Sequence, residues 1–222
     1  MRGVYGQLAA STLLVIGALF PIVNPLGNAP IFLALARGLP ESAISRLARS
    51  IALNSFVLII GSIFIGTHVL GFFGISLPVV QVAGGLVVVA NGWALLRSPA
   101  AGDGESVNKP CRESDYMRQA FYPLTLPLTV GPGSISTAIT VGANRPSGGQ
   151  WHWQLITGLF IGAAVIAASV WLCYQFAERI ARILGETAMN VVLRLSSFIL
   201  VCIGVQIVWN GASALLRAAL FR

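Results

Sequence analysis

The chain has 222 residues, 56% of them hydrophobic and only 9% charged, where a soluble domain carries about a quarter charged. That composition excludes an ordinary water-soluble protein. The net charge of +7 would suit a nucleic-acid binder only if the basic residues shared a soluble face, and here they sit at the ends of apolar stretches instead.

Five runs contain no Asp, Glu, Lys or Arg: Gly3 to Ala36, Ser50 to Leu96, Gln119 to Asn144, Pro146 to Ala177 and Leu195 to Leu216. Each is long enough for the roughly 20 apolar residues that cross a bilayer as a helix. The first predicts a span over 7–36. Arg2 before an apolar stretch resembles a secretory signal, but no small-x-small cleavage site follows and the run continues through Pro21 and Pro30, so a retained span is expected. The second run is too long for one helix and is interrupted by Gly71, Gly74 and Pro78, which predicts spans over 50–70 and 78–97 joined by a turn. Ser98 to Met117, rich in Pro, Gly and polar residues, reads as a solvated linker. Spans over 118–142, 152–177 and 192–216 follow. The expected fold is therefore an all-α integral membrane protein of six helices, with a first three-helix repeat over 1–97, a cytoplasmic linker over 98–117 and a second over 118–222.

Loop charge sets an orientation. Arg37, Arg46, Arg49, Arg97, Lys109, Arg112, Arg118, Arg179, Arg182 and Arg194 belong to the loops after spans 1, 3 and 5, and only Arg2, Arg145, Arg217 and Arg222 lie on the other side. The positive-inside rule puts the richer loops in the cytoplasm and both termini outside, in a bacterium the periplasm. Cys111, Cys173 and Cys202 are scattered and imply neither a disulfide framework nor a metal site.

The two halves match in register. Pro21-Ile22-Val23-Asn24-Pro25-Leu26-Gly27-Asn28 aligns with Pro127-Leu128-Thr129-Val130-Gly131-Pro132-Gly133-Ser134, and Gly85 with Asn91-Gly92 aligns with Gly204 with Asn210-Gly211. With three spans per half, the second repeat is inverted. Pro25, Pro30, Pro127 and Pro132 each remove a backbone N–H near mid-span, and Gly27, Gly131 and Gly133 allow conformations that other residues resist. Broken helices at bilayer depth survive only when buried in protein or lining a polar cavity. Their free N–H and C=O ends, with Asn28 or Ser134 as the expected caps, are the best sequence pointer to a transport site. The simpler reading of such segments is a packed Pro kink; two register-matched segments favour the site.

The substrate-binding candidates are Asn24, Pro25, Gly27, Asn28, Thr129, Gly131, Pro132, Gly133, Ser134, Ser136 and Thr137, with the repeat-equivalent Asn91 and Asn210. Asn54, Ser55 and Ser169 read as interhelical contacts, and Gly158 with Gly162, like Gly84 with Gly85, as close-packing positions. No carboxylate lies in a span core, so a proton-coupled carrier lacks its usual titratable group. A cation held by carbonyl and hydroxyl oxygens suits the residues better, though sodium coupling, proton coupling and uncoupled facilitation all stay open. A small zwitterion fits a site without charged side chains, its carboxylate on half-helix N–H groups and its ammonium on exposed carbonyls. No catalytic residues, cofactor or metal are expected: the sequence lacks paired carboxylates, a Ser with an intramembrane His, and a phosphate loop with Lys.

Asn24 to Leu35 and Pro127 to Thr137 resemble the two signature segments of the MarC family of bacterial inner-membrane proteins, and Phe73 to Pro78, Val82 to Leu86, Leu200 to Gln206 and Asn210-Gly211 extend the resemblance over nearly the whole chain. Gln81 stands where many members of that family carry a basic residue. The resemblance implies a six-span inverted-repeat protein of the inner membrane, grouped with small neutral amino acid transporters and more distantly with amino acid exporters of the LysE type. It does not imply an antibiotic pump. The expected function is a secondary transporter or facilitator of a small polar solute, with neutral amino acids as leading candidates, working by alternating access at the paired broken helices. A non-transporting membrane scaffold or regulatory protein and a channel are the alternatives. The expected partners are the solute and the lipid bilayer, with no nucleic acid and with homo-oligomerisation left open.

Overall fold

The computed structural model describes residues 2–36, 38–97, 119–144 and 153–220; the expected linker over 98–117 lies outside them. The described residues form α1 (Arg2–Val23), α2 (Pro25–Leu35), α3 (Glu41–Phe72), α4 (Leu77–Arg97), α5 (Ala120–Thr129), α6 (Pro132–Ala143), α7 (Trp153–Gln175) and α8 (Ala177–Leu220). Five helices are long and apolar enough to cross a membrane, and the bent pair α5–α6 makes up to six.

Each boundary follows from local chemistry. The α1–α2 break is at Asn24, whose φ of 46° and ψ of 59° place it in the left-handed region that Asn tolerates best among non-glycine residues. Pro25 disfavours a helical Asn24 and then starts α2 at a position where its missing N–H costs nothing. The expected turn between the second and third spans runs through Gly74, whose φ of 67° glycine adopts without penalty, and the Ile75 N–H closes it on Leu70 O at 2.9 Å. α3 starts at Glu41, nine residues before the expected 50, because Pro40 ends the preceding chain and an acidic residue in the first turn suits a helix N-terminus. A helix stays favourable past the bilayer edge, so charge-free runs understate its length. α8 likewise begins before 192, bending at Gly185 (φ 71°, ψ 169°) ahead of its apolar stretch Thr187–Leu220.

α5 is a wide, π-type segment built on a tandem Pro-Leu-Thr repeat over 123–129. Tyr122 and Leu126 precede its two prolines and are extended, at φ −127°, ψ 123° and φ −108°, ψ 126°. Each threonine of the repeat adds a side-chain bond five residues back: Thr125 Oγ1 donates to Ala120 O at 2.6 Å and Thr129 Oγ1 to Leu124 O at 2.7 Å. α6 then departs at 69°.

α1, α2, α3, α5, α6 and α7 share the main core, with Val15, Leu19, Phe32, Ile51, Ile63, Ile166 and Tyr174 buried in it. Gly158 and Gly162 let α7 press on α1 at Ser11 and Val15, and Thr12 Oγ1 donates across to Gly158 O at 3.2 Å. α4 packs along α8 through reciprocal glycines. A Cβ at Gly85 would fall 2.9 Å from Gly204 O and 2.8 Å from Val208 N, and one at Gly204 would fall 2.9 Å from Gly85 O and 2.8 Å from Val89 N. Gly92 meets Ser197 O and Val201 N, while Gly211 meets Pro78 O and Val82 N. The outward surface, including Leu13, Leu53, Val57, Ile65, Leu195 and Val205, is apolar, as a lipid-facing surface must be.

Candidate functional site

The two helix breaks meet at a cavity of about 340 Å³. Asn24 and Asn28 come from the first break, Thr129, Gly131, Gly133 and Ser134 from the second, and Asn91 from α4. Seven of the thirteen sequence-predicted residues therefore line one space. Pro25, Gly27 and Pro132 are at the breaks but not on the wall, since their part is to shape the backbone.

The breaks are finished differently. Asn24, not Asn28, caps α2: its Oδ1 accepts from the Gly27 N–H at 3.2 Å. Asn28 instead ties the breaks together, its Nδ2 donating to Val23 O at 2.9 Å and to Leu128 O at 3.0 Å. Nor does Ser134 cap α6. Extended Gly131 (φ −88°, ψ 179°) occupies that position with no side-chain cap, and the first backbone bond runs from the Ile135 N–H to Gly131 O at 3.1 Å. Pro132 has no N–H, so the N–H groups of Gly133 and Ser134 are the uncapped positive end of the α6 dipole, on residues of the cavity wall. Asn24 adds a further donor, because its Nδ2 is buried without a partner.

Gly27, Gly131 and Gly133 do not take the unusual dihedrals expected of them; among the described residues positive φ occurs at Asn24, Gly38, Gly74 and Gly185. They supply room instead. A Cβ at Gly27 would fall 2.2 Å from Asn24 Nδ2, one at Gly131 3.0 Å from Pro127 O, and one at Gly133 2.0 Å from Val88 Cγ2.

Ser136, Thr137 and Asn210 are not on the wall. Ser136 Oγ donates to Val80 O at 2.9 Å, Thr137 Oγ1 is buried without a partner, and Asn210 Oδ1 accepts from Gln206 Nε2 at 2.9 Å on the exposed face of α8. Asn91 and Asn210 hold matching places in the sequence, yet only Asn91 reaches the cavity. Asn54 Nδ2 reaches Thr125 Oγ1 at 3.5 Å across helices, Ser55 Oγ has no partner, and Ser169 Oγ bonds its own helix at Ile166 O.

Sequence reading missed Tyr174 and Phe32. The Tyr174 hydroxyl bonds Thr129 Oγ1 at 2.9 Å and its ring stacks on Phe32 at 4.5 Å and 8°, fully buried behind the wall. A Tyr in an apolar run carries no local signal of this. The Pro-Leu-Thr repeat, by contrast, was a readable pointer to Pro123, which also lines the cavity. Among the described residues no group of three or more His, Cys, Asp or Glu comes together to hold a metal. The wall carries two uncapped backbone N–H groups, and Asn24 Nδ2 is buried beside them without a partner, while Asn28 and the threonines already occupy nearby carbonyls. Such a site suits an acceptor-bearing, carboxylate-type group.

The model of the MarC family of integral membrane proteins matches residues 10–216 of the chain. The inner membrane protein MarC of Salmonella arizonae is 30% identical over 207 residues, covering 90% of this chain and 92% of its own. That of Escherichia coli is 28% identical over 204 residues with the same coverage, and a membrane protein of Buchnera aphidicola is 27% identical over 205 residues, covering 91% and 92%. No solved structure matches the chain. The chain belongs to the MarC family of integral membrane proteins.

Proposed function

We propose that this MarC-family protein is a multi-pass inner-membrane transporter or facilitator of a small polar solute, with a neutral amino acid as the solute class, working by alternating access at the paired helix breaks. The observation that carries the reading is the cavity where the breaks meet, with the uncapped α6 terminus and the unpartnered Asn24 amide at its wall. A scaffold has no need to gather unpaired donors where two helix breaks meet at a cavity, since each costs about 1–3 kcal/mol. The solute carboxylate takes the Gly133 and Ser134 N–H groups and Asn24 Nδ2. Its ammonium takes the side-chain oxygens of Asn28 and Asn91. About 340 Å³ is at the small end of ligand pockets, which favours a compact solute.

In this reading the chain crosses six times in two inverted halves. The reciprocal glycine contacts of α4 and α8 support it, because a two-fold relation makes each contact recur with its partners exchanged. Loop charge supports termini on the periplasmic side. The reading involves no enzymatic step.

The test is flux of labelled amino acids into proteoliposomes holding the purified chain, with and without sodium and proton gradients. Saturable uptake of small neutral amino acids, competed by their unlabelled forms and lost in Gly133→Leu, is expected. Non-saturating flux would establish a channel instead, and no flux of any amino acid under any gradient would overturn the solute class.

A further inference from the structure

The cavity is one-sided. Leu35 at the end of α2, Ala94 and Leu95 near the end of α4 and Pro123 near the start of α5 line it toward one face. Toward the face where α1 begins and α8 ends, it stops where α6 lies against α4. Gly133 and Gly84 bring those helices together: a Cβ at Gly84 would fall 2.5 Å from Ser136 Cβ and one at Gly133 3.2 Å from Gly84 O. Nearer that face the contact turns polar. Ser136 Oγ donates to Val80 O at 2.9 Å, Gln81 Nε2 donates to Thr140 Oγ1 at 3.3 Å, and Thr140 Oγ1 donates in turn to Ser136 O at 2.9 Å.

The register that aligns the halves gives each of these residues a counterpart at the opposite face. Ser136 corresponds to Pro30, Thr140 to Ala34, Gln81 to Leu200 and Val80 to Ile199. No side chain among these counterparts can hydrogen-bond. There, among the described residues, no side-chain hydrogen bond joins α2 to α8, and Leu35 and Leu200 line the cavity instead. Asn91 and Asn210 follow the same asymmetry: Asn91 is on the cavity wall, and Asn210 is paired with Gln206 on the exposed surface.

We propose that Gln81, Ser136 and Thr140 form a gate that closes the site toward the face bearing the termini, and that when it opens Asn210 and Gln81 line the cavity as Asn91 and Leu200 do in the present state. This rests on the alternating-access reading. The gate holds because parting α6 from α4 breaks two interhelical bonds, whereas parting α2 from α8 breaks none made by the corresponding side chains. The protein therefore rests with the site open to the face where α4 ends.

The test reads conformation rather than flux. In the full chain with Cys111, Cys173 and Cys202 replaced by serine, one cysteine is placed by Asn210→Cys or by Ala94→Cys. A membrane-impermeant maleimide is then applied to each side of sealed vesicles. Adding Ser136→Ala with Thr140→Val removes both interhelical bonds, and from the average strength of such bonds in membranes the open-to-closed ratio rises about tenfold. Labelling at position 210 from the terminal side should rise about tenfold and labelling at 94 from the other side should fall. Gln81→Leu, which copies Leu200, should move both the same way by about threefold, and serves if the double variant does not fold. Unchanged labelling at both positions, or a rise at both, would overturn the gate; the second outcome marks general loosening. A reciprocal shift in a chain that moves no amino acid keeps the gate and overturns the solute assignment.

Discussion

Gly133→Ala probes the closest approach of α6 to α4. The added Cβ would fall 2.0 Å from Val88 Cγ2 and 3.2 Å from Gly84 O, where apolar carbons rest at about 3.5–4.0 Å. The helices must part by about 1.5 Å or Val88 must leave its rotamer, which a β-branched residue in a helix resists. Overpacking of this kind costs about 1–3 kcal/mol. Val88→Ala alone removes two buried methyl groups and costs a similar amount through the void. The double variant should be more stable than the sum predicts, by about 1–2 kcal/mol, because the new methyl occupies the vacated space. Thermal unfolding of the four purified proteins in detergent, followed by helical circular dichroism, measures this. At about 2–4 °C per kcal/mol for a chain of this size, Gly133→Ala should lower Tm by about 3–10 °C, and the double variant should lose about as much as one single variant rather than the sum of the two. Additivity within about 0.5 kcal/mol would refute the contact.

Asn28→Ala leaves Val23 O and Leu128 O without the amide that joins them, and should cost about 1–3 kcal/mol in the same assay; Asn28→Asp, which keeps the size but cannot donate when ionised, should cost at least as much. Tyr174→Phe keeps the stack on Phe32 and loses only the bond to Thr129, so it should lower stability by less than about 1 kcal/mol. Tyr174→Ala also leaves a large void and should cost about 3–5 kcal/mol; equal effects would show that the ring does not pack as described. Gly85→Ala and Gly204→Ala place a methyl against matching atoms at nearly identical distances, so their Tm losses should agree within the scatter set by about 0.5 kcal/mol. A clear difference would argue against reciprocal packing.

How much was legible depended on how local the cause was. The break at Asn24-Pro25 and the one at Gly131-Pro132 were readable because proline restricts its own φ and the residue before it, whatever surrounds them. The start of α3 was not, because a helix continues past the bilayer edge and only its cap marks the end. The capping assignments failed for a related reason. Asn28 and Ser134 have suitable side chains, but Asn28 is drawn across to Leu128 O by a neighbour 100 residues away, and an extended Gly131 holds the capping place of α6.

Composition and local chemistry by themselves determined an all-helical membrane protein, the places where its helices break, and the matched register of its halves. They also named the polar side chains at the cavity wall, Asn24, Asn28, Asn91, Thr129 and Ser134. Tertiary structure alone decided that Asn24 is a cap while Asn28 is a tie, that the glycines serve space and not dihedral freedom, and that Asn91 reaches the cavity while its counterpart Asn210 does not. The physical reason is that breaks arise from single residues, whereas a cavity wall arises from which helices touch. Two sequence-equivalent positions such as Asn91 and Asn210 then acquire different neighbours.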